Sequence, residues 1–457
     1  MADKNLENRD IKKTTGTERQ GASRQAGAPP TLWPQHGGPD AQGAALHDFS
    51  TNSNACGPCP HTLAAVQQAD ATRYPDPAYT ALRAQLAAFH GVAPERIVLA
   101  ASASEFIHRA TAWAAQQGAR AVALPAHSYG DCAQAAQARG LQVLRPGDAG
   151  WSAAGLQWAC EPSSPLGSAC PVLAAWRNRP AEHSNAVCAG GALLPLPLGE
   201  GGGEGQQPWH PHSAENLHLS SNPPKAGGLR RAPIPAFPQR VKEPNQQPHG
   251  HQIAVTPSTP PLRIHDCAYL PLRLHTEASA RPDSGGDSGR AFDLPEPAAT
   301  AWQLWTPNKA LGLTGVRAAY AIAPEGAGAE TAIAALTALA PSWPVGAHGV
   351  ALLQCWVQPQ TQRWLAGCLP VLRGWKALQM ALCADLGWAV LPGSQANYFC
   401  ARWPVSDGAA ALRQLRSHGI RLRDCTSFGL PGVVRLGVLP PAAQAALRQA
   451  GLQLPMV

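Results

Sequence analysis

Residues 95–146 read ERIVLAASASEFIHRATAWAAQQGARAVALPAHSYGDCAQAAQARGLQVLRP. Three short apolar runs in this stretch, IVLAA, AVAL and LQVL, are typical of β-strands, and the two segments between them have helical spacing. The first of these segments places five apolar residues on one helical face, namely Phe106, Ile107, Ala110, Trp113 and Ala114. Strands that alternate with helices predict an α/β fold with a mainly parallel central sheet that is covered on both faces.

The same alternation continues on either side of a long interruption. Residues 177–262 are rich in Gly and Pro and show no sustained period, so they predict a long disordered insertion. The predicted organisation is a disordered N-terminal tail over residues 1–45, a large domain over 46–176 and 263–335 that is split by this insertion, and a smaller C-terminal α+β domain over 336–457.

Composition excludes several classes of function. The chain has 457 residues and a net charge of +7, but no long basic run, which argues against a nucleic-acid partner. No stretch approaches 18 consecutive apolar residues, and the polar N-terminus lacks the apolar core of a secretory signal, so neither a membrane partner nor export is expected. Twelve scattered cysteines are typical of buried thiols in a reducing compartment, which predicts a cytoplasmic protein.

Lysine is scarce, and its placement is informative. Of seven lysines, only Lys309 and Lys376 lie in segments with a folded pattern. Lys376 occupies an amphipathic helical pattern, where a solvated side chain is expected. Lys309 follows the apolar strand AWQLW and precedes the turn GLTG, which makes it a candidate Schiff-base lysine. The alternative is an ordinary surface lysine.

Residues around Lys309 suit a phosphate ester. Thr306 lies three positions before it and Arg317 eight after it, and Ser104 lies at the start of a predicted helix. A hydroxyl, a guanidinium and helix N–H groups are common phosphate ligands, although Ser104 also suits a plain helix cap. Asp266 ends a predicted strand, where a carboxylate can keep a pyridine nitrogen protonated. The alternative is an aspartate that only stabilises a turn or caps a helix.

The chain resembles the class I/II aminotransferases, enzymes of fold type I that use pyridoxal 5'-phosphate. The resemblance covers about His36 to Gly451 apart from the insertion. It is carried by HGG (36–38), DFSTNSNACGP (48–58), RYPDP (73–77), ASASE (101–105), HSYGD (127–131), EPSSPLG (161–167), HDCAYLP (265–271), TPNKALGLTGVR (306–317), RDCTSFG (423–429) and VVRLGV (433–438).

The resemblance implies a role for each matching residue. Lys309 would hold the cofactor as a Schiff base, Asp266 would pair with its ring nitrogen, and Tyr129 would stack on its ring. Further cofactor contacts are implied for Ala103, Ser104, Thr306 and Arg317 at the phosphate and for Tyr269 and Ser164 near the ring oxygen. Tyr74 would reach the cofactor of a neighbouring subunit, which implies a homodimer. Arg435 would bind the substrate α-carboxylate, and His36 and Asn54 would complete the substrate site. No metal is implied.

The HGG and RDCTSFG segments favour the branch of the family that decarboxylates L-threonine O-3-phosphate for cobalamin biosynthesis. A transaminase similar to histidinol-phosphate aminotransferases is the alternative, and an inactive relative that only binds ligands is another. Three departures from the family pattern bear on activity. Ser164 stands where the family has Asn, Asn308 precedes the lysine where a small hydroxyl residue or Gly is common, and the insertion over residues 177–262 interrupts the match. The turn assigned above to EPSSPLG could instead be SSNPPKAGG, which would make Asn222 the residue that contacts the cofactor ring. However, no clear strand leads into that segment.

Two short motifs suggest unrelated functions, a redox site and a zinc site. Cys56-Gly57-Pro58-Cys59 has the spacing of a redox CxxC, but DFSTNSNA is a poor buried strand to precede it. His210, His212, His218, His249 and His251 cluster in the insertion, but their spacing is too irregular for a preformed zinc site.

Overall fold

Thirteen strands and ten helices make up the computed structural model, which describes residues 36–177, 260–274, 290–295, 300–326 and 328–455. The strands are β1 (His47–Asp48), β2 (Ile97–Ala100), β3 (Ala121–Ala123), β4 (Gln142–Leu144), β5 (Leu156–Cys160), β6 (Leu262–Asp266), β7 (Ala301–Trp305), β8 (Ala319–Ile322), β9 (Ala389–Val390), β10 (Tyr398–Arg402), β11 (Ile420–Arg421), β12 (Arg423–Asp424) and β13 (Val433–Gly437). The helices are α1 (Pro60–Gln67), α2 (Thr80–His90), α3 (Ala103–Gln116), α4 (Gly130–Ala138), α5 (Pro171–Arg177), α6 (Ala329–Ala338), α7 (Ala347–Trp356), α8 (Pro359–Asp385), α9 (Gly408–Ser417) and α10 (Pro441–Gly451).

Seven strands form the large sheet, in the order β2-β8-β7-β6-β5-β3-β4. Only β8 runs antiparallel to its neighbours, so the other six strands all point the same way. The predicted α/β fold with a mainly parallel sheet is therefore confirmed. The carboxyl ends of the six parallel strands meet at one edge, which is where open α/β sheets bind ligands.

Alternate residues of the large sheet enter two separate cores, as the two-residue period of a strand requires. On β2, Ile97 and Leu99 pack in a core with α1, α2, α7 and α8, whereas Val98 and Ala100 pack in a core with α3, α4 and α6. Both faces of the sheet are thus covered by helices. None of the helices in the described ranges is both long and apolar enough to cross a membrane.

Helix α3 begins at the same edge of the sheet, and side chains cap its first turn. The Ser102 hydroxyl accepts the Glu105 N–H at 3.1 Å, and the Glu105 carboxylate accepts the Ala101 N–H at 3.1 Å. This reciprocal arrangement resembles a capping box. The cap is Ser102 rather than Ser104, which leaves the Ser104 hydroxyl available for other contacts.

The small sheet has the order β12-β13-β10-β9 and is antiparallel. The predicted boundary between the large and the small domain, at residue 336, does not fall between two elements. That boundary falls inside α6, where Leu336 is fully buried in the core of the large sheet. The insertion also ends slightly earlier than predicted, because Leu262 already pairs with Leu156 in the large sheet.

The predicted disordered tail extends too far, because residues 36–45 have definite contacts. Asp40 forms ion pairs with Arg416 and Arg421. Gly37 lies so close to Ser50 that a Cβ atom would be 2.2 Å from its carbonyl oxygen. Residues 1–35 and most of the predicted insertion, including the histidine cluster and Asn222, lie outside the described residues.

Candidate active site

A cavity of about 100 Å³ opens where the parallel strands of the large sheet end. Residues that follow β2, β3, β5, β6 and β7 reach it, as do those that lead into β8. The lining consists of Ser102, Ala103, Ser104, Tyr129, Ser164, Asp266, Ala268, Tyr269, Thr306, Asn308, Lys309, Arg317 and Ala318. Nine of the thirteen residues predicted from the sequence are in this set, brought together from five separate segments.

Lys309 and Asp266 are oppositely charged residues of the cavity lining. The Lys309 Nζ atom lies 5.3 Å from the centre of the Tyr269 ring. Asp266 Oδ1 accepts the Ala268 N–H at 2.9 Å. Burial raises the pKa of the Asp266 carboxyl, while the positive charge of Lys309 and the Ala268 N–H act in the opposite direction. Asp266 is thus a carboxylate whose ionisation depends on nearby positive charge.

The turn that carries Lys309 is held by the segment around Asn54. The Asn54 main-chain N–H donates to the Lys309 carbonyl at 2.9 Å, and its side-chain Nδ2 donates to the Ala310 carbonyl at 3.0 Å. Asn54 Oδ1 also accepts the Cys56 N–H at 3.0 Å. The amide is therefore used by the main chain, and Asn54 does not line the cavity as a substrate contact would. Gly312 completes the turn at φ +71°, where a Cβ atom would lie 2.6 Å from the Gly57 carbonyl oxygen.

Four residues of the cavity lining have the features of an anion site. Ala103 and Ser104 open α3, whose first N–H groups carry the positive end of the helix dipole. The Thr306 Oγ1 atom is buried and has no hydrogen-bond partner among the described residues. Arg317 also lines the cavity and adds a cation. Buried polar atoms are nearly always hydrogen-bonded, so Thr306 indicates a site for an added acceptor such as a phosphate oxygen.

Tyr129 lines the cavity beside Ser104, and the two hydroxyl oxygens are 3.4 Å apart. Burial and the nearby Asp131 carboxylate raise the pKa of the Tyr129 phenol, so it stays protonated. His36 lies beside it, with ring centres 5.9 Å apart, and its Nε2 is 3.8 Å from Asp131 Oδ1. His36 itself is outside the cavity lining and is close to half exposed.

Asn52 is a residue of this region that the sequence prediction missed. Its Nδ2 donates to the Tyr269 hydroxyl at 3.2 Å, and its buried Oδ1 has no partner in the described part of the chain. Asn397 holds the Asn52 main chain by donating to its carbonyl at 3.1 Å. DFSTNSNACGP offers two asparagines, and their spacing alone does not show which one faces the site.

Arg435 does not line the cavity, and aromatic rings connect it with a residue that does. Its guanidinium is 5.6 Å from the centre of the Tyr398 ring, and Tyr398 packs edge-on against Tyr269, which lines the cavity. Nη2 donates to the Ser50 carbonyl at 3.0 Å, and Nε has no hydrogen-bond partner among the described residues. Arg435 is paired across the small sheet with Arg423, and both are buried. Burial and the neighbouring Arg435 lower the pKa of Arg423.

Two other predicted residues have distinct positions. Ser164 lines the cavity at the end of the segment that follows β5. Tyr74 is outside the cavity and 77% exposed. Its ring stacks on Trp343 at 4.3 Å between centres. The structure therefore brings Ser164 to the site, and it leaves Tyr74 on the surface of this chain.

The prediction of a solvated Lys376 is wrong. Its Nζ atom is buried and donates to the carbonyls of Ser394 and Ala396 at 2.7 and 2.9 Å and to the Ser394 hydroxyl at 3.0 Å. Burial lowers the pKa of Lys376 to about 8. The amphipathic pattern of the helix did not reveal that a loop covers this position.

The CxxC segment lacks the features of a redox site. Cys59 is buried in the core at the start of α1, and burial together with a contact to Cys368 raises the pKa of Cys56. A reactive thiol needs a lowered pKa. None of the cysteines within the described ranges forms a disulfide, and no group of three or more metal-ligating side chains occurs there.

Comparisons with known proteins agree with this architecture. The family model described as "Aminotransferase class I and II" matches residues 45–152 and 304–450. A search of curated protein sequences finds no significant match. Among solved structures, the chain is similar to the histidinol-phosphate aminotransferase from Clostridium acetobutylicum, with 14% identity and a TM-score of 0.57 over 89% of this chain and 98% of the other.

Two further structures have the same fold. The L-threonine-O-3-phosphate decarboxylase from Porphyromonas gingivalis is 16% identical, with a TM-score of 0.57 over 88% of this chain and 97% of the other. The histidinol-phosphate aminotransferase from Sinorhizobium meliloti, solved in complex with pyridoxal-5'-phosphate, is 17% identical, with a TM-score of 0.55 over 88% of each chain. The family model matches more than half of the residues of this chain. The chain therefore belongs to the class I and II aminotransferase family.

Proposed function

We propose that this chain is a pyridoxal-phosphate-dependent decarboxylase that converts L-threonine O-3-phosphate into aminopropanol phosphate, a step of cobalamin biosynthesis. The observation that carries the substrate class is the pair of buried arginines, Arg423 and Arg435, opposite each other on β12 and β13. A guanidinium binds a carboxylate or a phosphate through two parallel hydrogen bonds. Two of them in one place suit a substrate with two acidic groups.

The cavity residues fit pyridoxal phosphate. Lys309 would hold it covalently, Asp266 would face its ring nitrogen, and Tyr129 would cover its ring. A phosphate oxygen would give Thr306 Oγ1 the hydrogen-bond partner that it lacks among the described residues, with Ala103, Ser104 and Arg317 also in the cavity lining. A protonated ring nitrogen would also favour the ionised form of Asp266, whose pKa burial raises.

The choice of reaction depends on how the substrate is held. When bound, pyridoxal phosphate would supply an electron sink for the bond that breaks at the substrate Cα. Arg435 would hold the α-carboxylate and so determine whether the bond to the carboxylate or the bond to hydrogen breaks. Lys309 would move a proton at Cα, and Asp266 would keep the ring nitrogen protonated.

Transamination of a phosphorylated substrate such as histidinol phosphate is the second candidate. It is supported by the fold that this chain shares with two histidinol-phosphate aminotransferases. We favour decarboxylation because the chain has both the HGG and the RDCTSFG segments. These segments are adjacent in space, since Arg421, two residues before RDCTSFG, donates to the His36 carbonyl at 3.5 Å.

We further propose that the active form is a cytoplasmic homodimer. Tyr74 supports this, because an aromatic side chain that is 77% exposed and stacked on Trp343 is available to a second copy of the chain. In a dimer, Tyr74 of one copy would lie near the phosphate-binding residues in the cavity of the other copy. Small amino-acid phosphates, rather than nucleic acids or membranes, are the expected partners.

Single-turnover product analysis tests the proposed reaction. The purified protein is loaded with pyridoxal phosphate and mixed with L-threonine O-3-phosphate. Release of CO₂ together with aminopropanol phosphate is the expected result. Formation of a keto acid with pyridoxamine phosphate, or turnover only of histidinol phosphate, would establish a transaminase instead. Lys309→Ala is the control, and it should give neither product.

A further inference from the structure

We propose that Phe428, held in place by His127, is the positioning residue that sets the Arg423 guanidinium for the phosphate end of the substrate. This inference rests on the proposed function, because it assumes a substrate with a carboxylate and a distal phosphate. It concerns two side chains that do not line the cavity and that the sequence prediction left without a role.

Phe428 lies under both arginines. The Arg423 Cζ atom is 5.0 Å from the centre of the Phe428 ring, and the Arg435 Cζ atom is 5.7 Å from it. Both distances are within the range of cation–π interactions. One aromatic ring therefore contacts both members of the arginine pair and limits where their guanidinium groups can lie.

Arg423 contacts the turn that carries this ring at two points, Phe428 and Ser427. Arg435 has further contacts, since it lies over Tyr398 at 5.6 Å and donates to the Ser50 carbonyl. Arg423 donates to the Asp424 carbonyl at 3.0 Å and to the Ser427 hydroxyl at 2.8 Å. Ser427 belongs to the same short turn as Phe428, so a shift of this turn moves two contacts of Arg423 together.

His127 ties this turn to the large domain. The His127 Nδ1–H donates to the Phe428 carbonyl at 2.7 Å. Gly429 follows at φ +78°, and a Cβ atom there would lie 3.9 Å from His127 Nδ1. His127 lies two residues before Tyr129, which lines the cavity. The hydrogen bond therefore connects the loop beside the cavity with the turn that carries the ring under the arginines.

Substrate selectivity follows from this arrangement. A guanidinium forms two parallel hydrogen bonds to a phosphate only when its plane is correctly turned, so its orientation matters as well as its charge. Loss of the Phe428 ring should affect Arg423 more than Arg435. It should thus weaken recognition of the phosphate more than recognition of the α-carboxylate.

The test compares L-threonine O-3-phosphate with L-threonine, which differ only in the phosphate. Their dissociation constants are measured on the holoenzyme by titrating the cofactor absorbance. Phe428→Leu should weaken binding of the phosphorylated ligand about tenfold and binding of L-threonine less than about twofold. Phe428→Tyr keeps the ring and should retain the wild-type ratio. Equal losses for both ligands, or no loss, would overturn the inference.

A second pair of variants tests the contribution of His127. His127→Leu removes the donor and should reduce the preference for the phosphorylated ligand, whereas His127→Asn keeps an N–H donor and should restore it. Combining His127→Leu with Phe428→Leu should cause no further loss, because both act through Arg423. Additive losses would contradict this. A wild-type protein with no preference for the phosphorylated ligand would instead refute the proposed function.

Discussion

Asn54 and Lys309 are joined by a main-chain hydrogen bond of 2.9 Å, and the Asn54 side chain donates to Ala310 at 3.0 Å. The segment before α1 thus holds the turn that presents the candidate Schiff-base amine. Asn54 was predicted to contact substrate, but its amide groups are used by the main chain. It is a residue that positions Lys309.

Asn54→Ala should therefore affect the fold and the lysine together. It leaves the buried Ala310 carbonyl without its donor, which typically costs about 1–3 kcal/mol of unfolding free energy. We expect a lower Tm and a lower kcat at saturating pyridoxal phosphate. Thermal unfolding measures the Tm, and steady-state kinetics measure kcat. An unchanged Tm with only a raised KM would instead support the substrate contact that the sequence predicted.

Asp266→Asn tests the buried carboxylate, because it removes the charge and keeps the shape. We expect kcat to fall at least about a hundredfold while the protein still binds pyridoxal phosphate, since an amide cannot keep the ring nitrogen protonated. Kinetics at saturating cofactor provide the measurement. Asp385→Asn, which removes an exposed carboxylate paired with Arg448, should leave kcat unchanged. A kcat for Asp266→Asn within about threefold of wild type would show that Asp266 has no part in the chemistry.

Lys376 should make stability depend on alkaline pH. Its pKa is lowered from an ordinary value of 10.5 to about 8 in the folded protein, so between these values the unfolded chain binds more protons. The contribution of Lys376 to the free energy of unfolding is therefore fully present above pH 10.5. It falls by up to about 3 kcal/mol as the pH is lowered to 8.

Urea unfolding of wild type and Lys376→Met at several pH values measures this effect, because other titrating groups cancel in the difference. The stability of wild type relative to the variant should rise from pH 8 to 10.5. A difference that stays constant over this range would show that Lys376 keeps its ordinary pKa.

Arg435→Lys keeps the positive charge and removes the two parallel donors. We expect kcat/KM for L-threonine O-3-phosphate to fall about ten- to a hundredfold, because an ammonium cannot reproduce the paired hydrogen bonds. The cofactor absorbance should not change. Arg402→Lys, on the exposed end of β10, is the matched control and should retain wild-type kinetics. Kinetics of Arg435→Lys that match wild type would remove Arg435 from the substrate site.

Much of the fold could be predicted from the sequence, because strand and helix periods are local properties. The parallel sheet places the residues after β2, β3, β5, β6 and β7 at one edge. Polar residues at strand ends, Asp266 at the end of β6 and Thr306 directly after β7, could therefore be predicted to meet at one edge. Tyr129, Ser164 and Tyr269, by contrast, were implied only by the family resemblance.

Residues that depend on long-range contacts could not be predicted. The different contacts of Asn52, which donates to Tyr269, and of Asn54, which donates to Ala310, involve residues more than 200 positions away. Lys376 is buried because the loop around Ser394 and Ala396 covers it, and the periodicity of α8 contains no information about that loop. The same holds for His127 and Phe428, which meet across 301 residues.

The central claim is that Lys309 holds pyridoxal phosphate in the cavity. The most direct measurement is the visible absorbance of the protein with pyridoxal phosphate, followed by borohydride reduction and mass mapping of the labelled peptide. Wild type should show the absorbance of a lysine-bound cofactor, and reduction should leave the label on Lys309, whereas Lys309→Ala should show neither. Absence of the band in wild type, a label on another lysine, or an unchanged spectrum in Lys309→Ala would contradict the account.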